Sequence, residues 1–543
     1  LAPLHERIDQ AIEARLSGAV APVADDAEFI RRVTLDLIGM TPTSDEVRQF
    51  LSDPSSVKRQ QWIDRLLASP QYARRMQNVF DLMLMERRPD VHVPAAEWQE
   101  YLRNSFAENK PYDQLVREIL SADGSEAQSR AASKFYLDRG GDPNLLTRDV
   151  GRLFLGMDFQ CCQCHDHPLI GHYAQDYYYG IFAFLNRTVV FTDKQTNRAS
   201  LAEKADGEVT FKSVFIKDMQ PQHATPHLPD EASGREPKLP AGYEYAVAPA
   251  DNVRPVPRFS RRAGLGAALT SDNQRRFDRN IANRLWALMF GRGLVDPVDL
   301  HHPDNPPSHP ELLEILAESM SAMQYDVRAI LREIALSRTY QRASEMPGVD
   351  LANVPPESYA VANLKPLSPE QFTWSLLAAT GVLENYRTAV TNELRADPRL
   401  VAVLAADPKR QELEQQLIER TVYERLAPTQ ASFVQLFGNQ PGTPDGGKFE
   451  ATIHQALFLS NGGVVDSWLA PGGNSLLSRL TALTEPTAVA EELYMSTLSR
   501  RPTADELSEV TLYLNERAGQ PRDAVLKELA WALLASAEFR LNH

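Results

Sequence analysis

Three observations predict a mainly α fold, multi-helix, with a small β-rich insert between two helical regions. Apolar residues recur at helical spacing up to Leu185 and again from Arg261 to the C-terminus. Prolines and a capping tetrapeptide stand where helices would begin. Between these regions the periodicity stops, and short β-prone runs appear among Asp, Gly, Lys and Pro.

Taken in order, Phe29, Val33 and Leu37 lie on one helical face, and Trp62, Leu66 and Leu67 on another. Thr43-Ser44-Asp45-Glu46 places a threonine three residues before a glutamate, a capping box for the next helix. Pro54, Pro70, Pro94 and Pro111 mark further helix starts. One more helix is predicted from Asn144 to Met157, leading into a cysteine cluster, and another from Ala174 to Leu185. The runs Thr188-Val189-Val190-Phe191, Val209-Thr210-Phe211 and Val214-Phe215-Ile216 read as strands of the insert. Helices then return, with loops at Arg292 to Pro310 and Gln440 to Gly447. The predicted organisation is an N-terminal helical domain over 1–186, a β-rich insert over 187–259 and a C-terminal helical domain over 260–543.

One pattern repeats. Met40-Thr41-Pro42-Thr43-Ser44-Asp45-Glu46-Val47 resembles Arg500-Arg501-Pro502-Thr503-Ala504-Asp505-Glu506-Leu507. Each is followed by a similar ending, Leu66-Leu67-Ala68-Ser69-Pro70-Gln71-Tyr72 and Leu533-Leu534-Ala535-Ser536-Ala537-Glu538-Phe539, with a third at Ile334-Ala335-Leu336-Ser337-Arg338-Thr339-Tyr340. Independent capping explains this as well as a recurring helical hairpin whose terminal aromatic docks on a neighbour.

Composition narrows the function. Hydrophobic residues are 43% and charged residues 24%, ordinary for a soluble globular protein of two or three packed units. The 57 basic and 72 acidic residues leave a net charge of -15, which repels phosphate backbones, so nucleic acid is not an expected partner. No apolar run approaches the ~18 residues of a membrane span. The chain begins at Leu1, as a processed exported protein or an excised domain would.

All three cysteines lie in Cys161-Cys162-Gln163-Cys164-His165, which excludes a dispersed disulfide framework. Cys161, Cys164 and His165 form C-x-x-C-H, the attachment pattern of haem c: two thiols a turn apart add to the vinyl groups, and the histidine faces the iron. Zinc held by Cys161, Cys164, His165 and His167 is the alternative, although adjacent ligands crowd a tetrahedron and no second ligand pair completes it. A dithiol redox pair lacks the strand–helix alternation it would need. Cys162 reads as a small buried residue, or else a further ligand or intermolecular disulfide. Tyr177 and Tyr178, with their aromatic neighbours, would either wall a macrocycle or form an ordinary helix core. His167, His172 and Met157 are the local candidates for a sixth iron ligand, and an open sixth position would favour catalysis over electron transfer.

A second polar constellation, His301-His302-Pro303-Asp304-Asn305-Pro306-Pro307-Ser308-His309, offers His301, His302 and His309 for acid–base or metal chemistry. Its simpler reading is a Pro-stiffened loop in which Ser308 caps a helix starting near Pro310. Arg261-Arg262, Arg275-Arg276 and Arg279 read as solvated or salt-bridged faces.

Nearly the whole chain resembles the planctomycete-type cytochrome c-associated proteins built from two consecutive domains of unknown function. The N-terminal resemblance rests on Arg31-Arg32-Val33-Thr34-Leu35-Asp36-Leu37-Ile38-Gly39, Lys110-Pro111-Tyr112-Asp113 and Cys161 to Pro168. The C-terminal one rests on Asn283-Arg284-Leu285-Trp286, Phe290-Gly291-Arg292-Gly293-Leu294-Val295 and Asn305-Pro306-Pro307-Ser308-His309-Pro310-Glu311-Leu312-Leu313. The resemblance implies export to the periplasm or cell surface, a c-type haem, and a setting of polysaccharide metabolism. It brings no settled catalytic residues.

The expectation is therefore an exported c-type haem protein with one covalent haem, an oxidoreductase acting on a small, carbohydrate-derived substrate. The large size favours an enzyme. The alternatives are a non-catalytic electron-transfer module serving a redox partner protein, and a metal-stabilised polysaccharide-binding or scaffold protein.

Overall fold

A computed structural model describes residues 2–232, 236–272, 274–405, 407–438 and 463–543, with Gln455 and Phe458. The fold is mainly α: 56% is helical, with 24 α-helices among the described residues and only two-stranded sheets. No described helix is long and apolar enough to cross a membrane. The chain forms two compact units. The first takes the chain up to Arg15 and again from Met76 to Ile334; the second takes Leu16–Arg75 and the described residues from Ala335 to His543.

In the first unit the helix Pro143–Leu155 packs against Gln175–Leu185 and Arg275–Phe290. Asp142 caps its start by accepting from the Asn144 and Leu145 amides, and Gly156 ends it in the left-handed conformation at φ 68°. The predicted helix over 144–157 is thus two residues too long at its end, because the glycine turns the chain before Met157. Asp149 anchors the helix through Arg139 (2.5 Å) and Arg152 (3.2 Å).

The insert is three antiparallel hairpins, Thr188–Thr192 with Ala199–Glu203, Val209–Phe211 with Gln222–Ala224, and Tyr245–Val247 with Val256–Pro257. Val214-Phe215-Ile216 is not a strand. It lies in the irregular connection of the second hairpin with all three side chains exposed, so its β-prone composition had no sheet neighbour to pack on. Arg261 and Arg262 are not solvated either, though Arg261 is salt-bridged, to Glu236. Both are buried, Arg261 donating to the Ala183 carbonyl (2.8 Å) and Arg262 to the Ala122 carbonyl (2.7 Å). Arg275 and Arg279 do pair with Glu314, at 3.0 and 2.5 Å. Arg292 to Pro310 is a loop as predicted, whereas Gln440 to Gly447 lies outside the described residues.

The second unit holds the repeat. Helices Asp26–Ile38 and Ser44–Ser52 recur as Pro486–Thr497 and Ala504–Glu516. Both second helices open on a complete capping box, Thr43 with Glu46 and Thr503 with Glu506. Both first helices lead into a left-handed residue, Gly39 at φ 73° and Ser499 at φ 60°. The terminal aromatics Tyr72, Tyr340 and Phe539 are all buried, which favours the recurring hairpin over independent caps. Asp36, 1% exposed, accepts from the Tyr340 hydroxyl (2.8 Å), Asn542 Nδ2 (2.7 Å) and Lys365 Nζ (2.5 Å).

Candidate functional site

After Gly156 the chain runs antiparallel to Asp299–His301: the His301 amide donates to the Gly156 carbonyl (2.9 Å) and the Asp158 amide to that of Asp299 (3.1 Å). A 3-10 turn, Gln160–Gln163, then carries the first two cysteines. This turn is tied to the helices beneath it, since Tyr179 donates to the Gln163 carbonyl (2.8 Å) and Gln163 to Asn144 Oδ1 (3.1 Å).

No cysteine is in a disulfide; Cys161 is half-buried, Cys164 exposed and Cys162 fully buried. The Cys162 thiol lies 3.2 Å from the Tyr173 carbonyl, and burial pushes its pKa up to about 12. It packs as a small buried residue, the simpler of the readings its surplus position suggested.

His165 and His167 are held in opposite tautomers. His165 Nδ1 lies 2.6 Å from the Asp166 carbonyl, an acceptor only, so Nδ1 carries the proton and Nε2 presents its lone pair. His167 Nδ1 instead accepts from the Leu169 (3.2 Å) and Ile170 (2.9 Å) amides, which leaves N–H at Nε2. Burial, with the neighbouring His302 and His165 rings, lowers the His167 pKa, so this ring is neutral near pH 7. Only His165 of the pair is therefore set up to ligate through Nε2.

The Phe215 ring lies against His165, centroids 4.6 Å apart, and the Val214 amide donates to the Cys164 carbonyl (3.0 Å). Sequence reasoning missed Phe215 because it lies 50 positions downstream of His165 in a run that reads as a strand. The other candidates are placed as follows. Met157 is buried with its sulfur 3.6 Å from Arg276 Nη1, and His172 is exposed. Tyr178 is buried with its hydroxyl on Asn144 (2.8 Å), and Tyr177 donates to Asp230 (2.5 Å).

Tyr173 links the second constellation to the first. Its hydroxyl donates to the His301 carbonyl (3.1 Å), and its ring contacts His302 (5.7 Å) and His167 (5.8 Å). Burial and then Arg284, Arg276 and Arg279 hold the His301 pKa down at about 3, so it is neutral. His309 stands apart from this group, buried beside Ser308 and Arg15, its pKa lowered to about 4 chiefly by burial. It, not Ser308, occupies the cap position of the helix Pro310–Ala322, and neither side chain caps it. Among the described residues no three His, Cys, Asp or Glu side chains gather to hold a metal ion.

The turn at Gly156 makes the first prediction. A Cβ there would fall 2.6 Å from the His301 ring and 3.0 Å from Asn280 Oδ1, in a left-handed backbone. The backbone alone costs an alanine about 1–2 kcal/mol. Gly156→Ala should therefore lower unfolding free energy by roughly 2–3 kcal/mol in a denaturant melt, contact strain included. A loss below about 0.5 kcal/mol, the range of neutral surface changes, would show that the turn is not under this constraint.

Fold and site define a class: a mainly α protein presenting two free thiols and a tautomer-fixed imidazole on one short turn. Residues 7–189 match the family model described as PSCyt2, a protein of unknown function (DUF1549), and residues 261–514 match PSD1, a protein of unknown function (DUF1553). The two matches follow one another along the chain. No curated protein and no solved structure matches it.

Proposed function

We propose that the protein is an exported c-type haem oxidoreductase, with one haem at Cys161, Cys164 and His165. The observation that carries this reading is the His165 ring: its Nδ1–H is fixed on the Asp166 carbonyl, one residue after a free thiol, so its Nε2 lone pair is available to iron. The residues fit the group in other respects. Both thiols are unpaired and accessible, and the local side chains include exposed apolar ones. Each thiol would add across a vinyl group, its sulfur bonding one carbon and its proton going to the other, so no oxidant is consumed. The haem supplies one-electron chemistry when bound. The haem reading needs one imidazole and two thiols, whereas bare zinc needs a gathered ligand set. A small, carbohydrate-derived substrate is the proposed class, on family context.

The exposure of Cys164 favours a second reading, an electron-transfer module with an accessible haem edge. Cyanide binding to the ferric protein separates the two: rapid binding marks an open position, and none marks a protein ligand on iron.

Protein matured in a cytochrome-c-competent host should be coloured, with haem that resists acid–acetone extraction. Cys161→Ser/Cys164→Ser should abolish that covalent haem, and each single change should shift the pyridine haemochrome band. A colourless parent protein, or one binding zinc instead, overturns the reading.

A further inference from the structure

Leu169 and Phe215, at 87% and 73%, are the two most exposed large hydrophobic side chains among the described residues. Val214 and Ile216, at 64% and 57%, flank Phe215. Scattered exposed hydrophobes are ordinary, but these belong to the two segments that border Cys164 and His165. Leu169 sits on the turn held by His167, and Phe215 lies on the His165 ring itself.

The segment bearing Val214, Phe215 and Ile216 is built rather than loose. It joins the strands Val209–Phe211 and Gln222–Ala224, and Phe211 stacks on Tyr179 at 4.6 Å with the rings 6° from parallel. The Ser213 amide points at Met219 Sδ (3.2 Å), the Phe215 amide donates to Ser213 Oγ (3.3 Å), and the Met219 amide to the Ile216 carbonyl (3.2 Å). A hairpin end thus folded, and fastened to the Cys164 carbonyl, holds bulky apolar side chains in water at the foot of a thiol–thiol–imidazole site. Polar residues would be the cheaper choice for a tip that stays wet.

We propose that this hairpin end is the apolar cover of the porphyrin: Val214, Phe215 and Ile216, with Leu169, pack on the macrocycle once it is attached. The occupant follows from the chemistry of the site, since a flat apolar ring anchored at Cys161 and Cys164 must lie beside the segment that contacts Cys164 and His165. The inference rests on the haem reading. It assigns the β insert a role, that of excluding water from the iron's immediate surroundings.

The test uses full-length holoprotein and Val214→Ser/Phe215→Ser. A wetter haem favours the ferric state, because its extra positive charge is better solvated. The double variant should keep the parent's covalent haem content, and its midpoint potential should shift downward. The same pair placed in the haem-free Cys161→Ser/Cys164→Ser protein should leave the melting temperature unchanged, since both side chains are already in water there. A haem-bearing parent whose potential does not move in the variant overturns the cover and leaves the patch to a protein partner or a second copy. A haem-free melting temperature that falls also overturns it, by showing that the residues serve the fold itself. A parent without haem overturns the reading beneath it.

Discussion

Asp36→Ala is expected to be among the most destabilising single changes in the second unit, at about 3–5 kcal/mol. Asp36 is 1% exposed and accepts three hydrogen bonds from residues remote in sequence, Tyr340, Lys365 and Asn542. Removing it takes the Asp36 carboxylate from the Lys365 ammonium, whose charged form burial already disfavours. It also takes one acceptor each from the buried Tyr340 hydroxyl and Asn542 amide. At about 2–4 °C per kcal/mol for a unit of this size, the melting temperature should fall by roughly 10 °C. Asp36→Ala combined with Lys365→Met should recover part of the loss, because the second change removes the stranded charge. A fall of under about 2 °C for Asp36→Ala, or no recovery in the double variant, would show that the lysine is solvated when its partner is gone.

The same residues show what the sequence could and could not disclose. Helix existence was readable because apolar spacing and caps are local: the Thr43–Glu46 and Thr503–Glu506 boxes form as written. The polar members of Arg31-Arg32-Val33-Thr34-Leu35-Asp36 gave no hint of their fate, which depends on partners hundreds of residues away. Arg31 donates to the Thr497 carbonyl (3.1 Å) and Arg32 to that of Arg342 (2.7 Å), so both arginines are buried clamps on backbone oxygens. Arg261 and Arg262 share that fate: both are buried on backbone carbonyls, although Arg261 also keeps the salt bridge its charge suggested, to Glu236. A guanidinium's chemistry suits solvent and a carbonyl cage equally, and only tertiary structure decides between them.

At the site, the thiols and His165 were legible because C-x-x-C-H is contiguous. Two things were not. Val214-Phe215-Ile216 has the composition of a strand, and strand propensity reports packing against neighbours that this hairpin end lacks. The tautomers of His165 and His167 depend on whether a carbonyl or an amide faces Nδ1, and no spacing rule encodes that.

That difference makes the last prediction, and it concerns two histidines only two positions apart. On the proposed haem reading, His165→Ala should remove the iron's histidine ligand while the thioether links persist, so haem would stay attached but its absorbance bands would move, and added imidazole should restore them. His167→Ala should leave those bands in place, because the His167 ring offers N–H rather than a lone pair at Nε2. The expected loss for His165→Ala is essentially complete, and an effect of equal size in His167→Ala would overturn the assignment of roles. The tautomers can be checked without haem. In ¹⁵N-labelled Cys161→Ser/Cys164→Ser protein, His165 should show its proton on Nδ1 and His167 on Nε2. The reverse pattern would mean that the backbone around the turn does not select the ligand. With the expected pattern, the ligand is chosen before any metal arrives: the Asp166 carbonyl orients one imidazole for coordination, and the Leu169 and Ile170 amides withdraw the other.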